Sequence, residues 1–197
     1  MNVSSRRLPA SGTNEAGLFF RAWLKAPLRI AALTPSSATT GQTMARLVEA
    51  GREGAVLELG SGTGPIGEAL LASGLPAERL IMVEREPDLA AHLRARFPRV
   101  RILQEDATAI GRALADLHVT KLCTVVSTLP IVWFPFEAQA AIIAQCMPLL
   151  GAGGPFLQLT NQPASPLPAR KLGLRAERAA HVWRNLPPSF VWRYRQA

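Results

Sequence analysis

Cysteine, histidine and lysine are all scarce in this chain, and each scarcity removes a class of function. The two cysteines, Cys123 and Cys146, are too few for a disulfide framework and lack metal-ligand spacing. Cys123 falls in an apolar strand-like run and Cys146 in a helix-like one, so both read as inert packing residues. His92, His118 and His181 join no cluster, and no metal site is expected. No run approaches the ~20 apolar residues of a membrane-spanning helix. Met1–Ala10 carries Arg6 and Arg7 without the apolar core and cleavage site of a signal peptide, which makes a cytoplasmic location the expectation. Acidic residues are few as well, 14 against 22 basic ones, for a net charge of +8. Such a surface attracts polyanions, meaning nucleic acid or an anionic membrane face. Only three of the 22 basic residues are lysine, so an arginine-biased, solvated surface accounts for the same charge.

What is present is a pattern of short apolar runs alternating with helical ones, within a length that suits one domain. Residues 1–13 read as a polar tail, followed by a helix over about Asn14–Ile30 and the breaker Thr34-Pro35-Ser36-Ser37. Ser36 or Ser37 is placed to cap a second helix running to about Ala50. Strands are predicted at Ala55–Leu59, Leu80–Glu84, Val100–Gln104, Leu122–Ser127 and Pro155–Thr160. Helices are predicted between them at Ile66–Ala72, Pro87–Phe97, Thr108–Leu117 and Glu137–Leu150. The alternation implies a doubly wound, mostly parallel α/β sheet. Leu174–Arg184 and Ser189–Arg195, joined by Asn185-Leu186-Pro187-Pro188, add a terminal antiparallel hairpin and bring the strand count to seven.

The first strand runs into Glu58-Leu59-Gly60-Ser61-Gly62-Thr63-Gly64, with Pro65 opening the next helix. Glycines there let the backbone approach a ligand beyond the strand's carboxyl end. Gly62-Thr63-Gly64-Pro65-Ile66-Gly67 also satisfies G-x-G-x-x-G, with Glu84 twenty residues after Gly64, as a dinucleotide site would have. Three features favour another cofactor. Glu58 precedes the glycines, giving E-x-G-x-G-x-G, which resembles motif I of the class I S-adenosylmethionine-dependent methyltransferases. Asp106 follows the third strand, and Ser127-Thr128-Leu129-Pro130 ends the fourth, where that family places its adenine-reading acid and its substrate loop. A dehydrogenase would also need a substrate domain, for which no sequence remains.

The resemblance implies S-adenosylmethionine as methyl donor, S-adenosylhomocysteine as product, no metal, and a role for each residue. Glu84 is expected to accept both ribose hydroxyls, Asp106 the adenine amino group, and the Ala107 backbone the ring edge. Gly60, Gly62 and Gly64 would underlie the methionyl part, and Glu58 would orient its ammonium. Ser37, Ser61, Arg85 and Ser127 complete the candidate cofactor contacts.

Outside this core, Phe19-Phe20-Arg21-Ala22-Trp23-Leu24, Thr34-Pro35-Ser36-Ser37, Ser127-Thr128-Leu129-Pro130 and Asn185-Leu186-Pro187-Pro188 resemble the bacterial phospholipid N-methyltransferases. That resemblance implies stepwise methylation of phosphatidylethanolamine towards phosphatidylcholine, at the inner face of the membrane. It divides the chain into a membrane-contacting segment, 1–35, and a methyltransferase domain, 36–197. The segment also reads physically: Arg21, Lys25 and Arg29 fall within about 80° on one helix face, opposite Phe19 and Trp23, with Phe20 extending the apolar side. Such a helix suits an anionic lipid interface, and equally an ordinary helix packed on the sheet. Pro130, Trp133 and Phe134 form a second apolar cluster, placed to receive a head group and the start of its acyl chains. Ser127 and the backbone near Leu129 are the candidates for positioning the amine. Expected partners are an anionic membrane surface and its phospholipid, with neither nucleic acid nor an obligate protein partner. Two alternatives stand beside this reading: an rRNA adenine N6-dimethyltransferase, and a non-catalytic membrane module that senses S-adenosylmethionine. Against the first, Ser127 and Ile131 occupy the positions where that family has Asn or Asp and an aromatic.

Overall fold

A computed structural model describes residues 35–183 and 188–197. The expected N-terminal helix with Phe19, Phe20, Arg21, Trp23, Lys25 and Arg29, and the residues 185–187, lie outside the described residues.

Seven strands form one sheet: β1 (Ala55–Leu59), β2 (Leu80–Val83), β3 (Arg101–Leu103), β4 (Leu122–Ser127), β5 (Phe156–Thr160), β6 (Leu174–Val182) and β7 (Ser189–Gln196). Their order is β3-β2-β1-β4-β5-β7-β6. The first five pair in parallel, while β7 pairs antiparallel with β5 and with β6. The order reverses between β1 and β4, so the crevice for a ligand opens where those two strands end.

The helices are α1 (Pro35–Leu47), α2 (Pro65–Ala72), α3 (Pro87–Arg96), α4 (Ile110–Asp116) and α5 (Phe136–Leu150). Two cores lie against the sheet. One gathers Leu57, Leu59, Val125 and Phe156 with Ile110 and Leu114 of α4 and Ile142 and Cys146 of α5. The other gathers Val56, Met82 and Leu157 with Met44 of α1, Ile66 and Leu70 of α2, and Leu93 of α3. Side chains therefore alternate between two covered faces along β1, as a strand buried on both sides requires. Cys123 and Cys146 are both buried, and burial pushes the Cys146 thiol up to about 12, which leaves it inert at neutral pH.

The elements fall where the sequence puts them, with boundary corrections that matter for the site. Helix α1 starts at Pro35 and stops at Leu47, so Ser36 and Ser37 lie within its first turn instead of preceding it. Proline is pre-organised for a first helical position, which explains the earlier start. Strand β2 ends at Val83, leaving Glu84 as the first residue of the following turn. Before α4 a 3-10 turn, Ala107–Ala109, replaces the helix start expected at Thr108. Among the described residues no helix is long and apolar enough to cross a membrane. Nor do they contain a group of three or more His, Cys, Asp and Glu that could hold a metal ion.

Candidate active site

The turn after β1 is built on left-handed glycines. Gly60, Gly62 and Gly64 have φ of 78°, 56° and 88°, a region that L side chains rarely adopt. At Gly64 a Cβ would also lie 2.5 Å from Cε2 of Phe97 and 2.9 Å from Cδ2 of Leu93. At Gly62 the space beyond the backbone is open to 4 Å, as a ligand lying on the turn needs.

Glu84 closes this turn from the neighbouring strand. It is 6% exposed, with Oε2 accepting the Gly62 N–H at 2.8 Å and Oε1 accepting the Glu86 N–H at 3.0 Å. Each carboxylate oxygen keeps a second lone pair. Glu84 is thus anchored by backbone amides before any hydroxyl reaches it, a feature the sequence could not show.

Glu58 shares the β1 face of Val56, opposite Leu57 and Leu59, and lies under α2. A Cβ on Gly67 would sit 3.0 Å from its Oε2 and 2.7 Å from Cε of Met82. The carboxyl is fully buried, and neither oxygen has a hydrogen-bond partner. Its pKa is pushed up to about 8, chiefly by burial and further by the Glu84 charge, with the Ser61 hydroxyl opposing the rise. In this conformation that hydroxyl is itself without a hydrogen-bond partner. An orphaned carboxyl beneath an open glycine turn is what a cationic ligand group would satisfy.

Asp106 serves as a cap, the bland role open to an acid at that place. Its Oδ1 accepts from the Thr108 N–H at 2.8 Å and the Thr108 hydroxyl at 2.6 Å, while Oδ2 lies 3.6 Å from Arg85 Nη1. Burial works to raise its pKa, but the Thr108 hydroxyl and amide and the Arg85 guanidinium outweigh it and hold the group low. Arg85 also donates to Glu86 Oε1 at 3.4 Å. The structure therefore brings Glu84, Arg85, Asp106 and the buried Ala107 together along the ends of β2 and β3. Ser37 stands in the first turn of α1.

The loop after β4 leans on the glycine turn. Thr128 donates its N–H to Leu59 O at 3.1 Å and its hydroxyl to Gly60 O at 2.6 Å. A Cβ on Gly60 would lie 2.8 Å from Cδ2 of Leu129. Among the backbone groups near Leu129 that are candidates for positioning the amine, the Leu129 carbonyl is already engaged. That oxygen already accepts the Ile131 N–H at 2.7 Å and Gln158 Nε2 at 2.8 Å, which uses both lone pairs. Gln139 steadies the same loop by donating to Ile131 O and Phe134 O, both at 3.0 Å. Neither glutamine was singled out as a site residue. A buried polar residue in an otherwise apolar strand or helix was the available signal. Ser127 is fully buried with an unpartnered hydroxyl.

Beyond Ile131, which is buried, Trp133 turns outward while Phe134 packs against the core. Trp133 is 64% exposed and Phe136 43%, and Trp183 at the end of β6 is 75% exposed. These are the exposed large apolar side chains among the described residues. The Trp183 ring lies on His181 at 3.6 Å between centroids, and His181 on Phe190 at 4.3 Å.

No family model matches the chain. An ornithine lipid N-methyltransferase of Singulisphaera acidiphila is 33% identical over 149 residues, which cover 74% of this chain and 78% of that protein. A probable ribosomal RNA small subunit methyltransferase A of Haloarcula marismortui is 44% identical over 61 residues, or 28% of this chain and 20% of that protein. Among solved structures, the glycopeptide N-methyltransferase MtfA with bound S-adenosylmethionine superposes with a TM-score of 0.58. It is 18% identical and covers 80% of this chain and 94% of its own, a likeness of fold.

Proposed function

The chain belongs to the class I S-adenosylmethionine-dependent methyltransferases, in the family that includes the ornithine lipid N-methyltransferase of Singulisphaera acidiphila, and from that premise we propose that it methylates the amino group of a membrane lipid. The substrate we propose is phosphatidylethanolamine and its methylated intermediates, at an anionic membrane surface. Ornithine lipid is a second reading, favoured by the identity to that relative.

The observation that carries the lipid reading is the placement of the exposed aromatics. Trp133 and Phe136 follow the carboxyl end of β4, and Trp183 follows that of β6, which runs parallel to β5. All three therefore lie on the sheet edge that holds the glycine turn. Three strand spacings, about 15 Å, separate β4 from β6 across the sheet. Tryptophan and phenylalanine spread over that span suit a lipid interface, where aromatic rings sit among head groups.

S-adenosylmethionine supplies an electrophilic methyl group on a sulfonium. The Gly60–Gly64 turn would lie against its methionyl part, Glu58 would face its ammonium, Glu84 its ribose, and the Asp106–Ala107 segment its adenine. An alkylammonium has a pKa near ~10, so the lipid amine must first lose a proton to attack. The loop Ser127–Pro130, held on Gly60 by Thr128, would set the amine beside the donor turn, and proximity supplies much of the rate.

Replacing Trp133, Phe136 and Trp183 together by Ser tests the edge. If ~40 Å² of each ring leaves water on docking, each contributes about 1 kcal/mol. Sedimentation with phosphatidylethanolamine vesicles should then show roughly 150-fold weaker binding, with affinity for S-adenosylhomocysteine retained. Vesicle binding and lipid methylation at parent levels would refute the docking edge.

A further inference from the structure

We propose that Gln158 and Ser127 together orient the substrate's amino nitrogen by accepting its N–H bonds, so that they act on the early methylation steps more than on the last. The inference rests on the lipid-amine reading above.

Register sets Ser127, the last residue of β4, opposite Gln158 in the middle of the adjacent parallel strand β5. Directly opposed residues point to the same face. Both side chains are completely buried, and Ser127 Oγ and Gln158 Oε1 lack a hydrogen-bond partner. Gln158 cannot fill that vacancy by turning over. Its Nε2 donates to Leu129 O at 2.8 Å and to Leu159 O at 2.7 Å, and a flipped amide would set oxygen against two carbonyls. The amide is thus clamped with its acceptor unused, beside a hydroxyl in the same condition. With the Leu129 carbonyl saturated, these two acceptors lie open side by side next to the substrate loop; Gln139 Oε1, on α5 against the same loop, is a further buried acceptor without a hydrogen-bond partner. Trp192 faces Gln158 from β7 and carries a buried Nε1–H that also lacks a partner, so it enters the test as a control.

A neutral primary amine has two N–H bonds and one lone pair. With its N–H bonds given to Gln158 Oε1 and Ser127 Oγ, the lone pair is directed away from the strands, at the methyl carbon. The lone pair forms the N–C bond, the S–C bond breaks with its electrons left on sulfur, and the resulting ammonium releases a proton to water. Each methyl group replaces one N–H. A secondary amine offers one hydrogen bond to this pair, and a tertiary amine none.

The test compares phosphatidylethanolamine, its monomethyl form and its dimethyl form in otherwise identical vesicles. One lost hydrogen bond corresponds to about tenfold. S127A should lower the ratio of primary-amine to tertiary-amine rate about tenfold, and S127A/Q158M about a hundredfold, with the secondary amine between. Calorimetry with a soluble short-chain phosphatidylethanolamine in the presence of S-adenosylhomocysteine should rank the variants in the same order. Q158M also releases the Leu129 loop, whereas S127A leaves the Gln158 clamp in place, so S127A decides if the double variant misfolds. Uniform slowing of all three substrates would overturn the inference, as would a W192F ratio matching that of S127A. A parent enzyme that methylates none of the three amines would overturn the phosphatidylethanolamine reading itself.

Discussion

Replacing Glu84 by Ala should weaken S-adenosylhomocysteine binding at least a hundredfold. The carboxylate is 6% exposed and already oriented by the Gly62 and Glu86 amides, so it meets a ribose diol with little left to reorganise. Hydrogen bonds to a charged group contribute about 1.5–3 kcal/mol each, and two of them give about 3–6 kcal/mol. Tenfold in affinity corresponds to about 1.4 kcal/mol, so the lower figure already exceeds a hundredfold. The variant also frees the Gly62 N–H, which loosens the turn on which the methionyl part would rest. Isothermal calorimetry checks this directly, with circular dichroism to establish that the sheet is intact. A folded variant of unchanged affinity would remove Glu84 from the cofactor site.

The second large effect is on stability and comes from Glu58. Its folded pKa is about 8 against an ordinary value of 4.5, so the native state keeps a proton that the unfolded chain gives up in that window. Stability must therefore fall as pH rises from about 4.5 to 8, and flatten above. At 1.36 kcal/mol per pKa unit, the upper bound on this loss is about 4–5 kcal/mol. Glu58→Gln removes the titration while keeping the shape. Its advantage over the parent should be small near pH 5 and grow to several kcal/mol by pH 8, read from urea midpoints across the window. Parallel stability curves would show that Glu58 ionises freely in the fold. Calorimetry in buffers of different ionisation enthalpy adds a functional check. If the cofactor's ammonium meets Glu58, binding at pH 7 should release a proton, and in Glu58→Gln it should not.

The elements that carry the site were legible because their signals are local. Alternating apolar runs placed β1 and β4 to the residue, and E-x-G-x-G-x-G fixed the turn between β1 and α2. Helix starts were less legible: a serine cap and a first-turn proline compete at Pro35-Ser36-Ser37, and the proline prevailed. Roles depending on partners far along the chain could not be read at all. Glu84 anchors to Gly62, 22 residues away, and Gln158 clamps Leu129, 29 residues away. Asp106 was readable as an adenine acceptor from its place after β3. The structure shows a cap, with Oδ2 left beside Arg85. The exposed edge was half legible, since Trp133 stood out as apolar within a loop, whereas Phe134 beside it packs against the core. Trp183 lies 50 residues beyond Trp133 and joins it only through the strand order.

The central claim is that this fold delivers methyl groups to a lipid amine, and lipid analysis in a host that makes no phosphatidylcholine tests it most directly. Expression of the parent chain should produce N-methylated derivatives of phosphatidylethanolamine, and expression of the Glu84→Ala variant should not. An unchanged lipid pool, with label from S-adenosylmethionine recovered in ribosomal RNA adenine, would contradict the account.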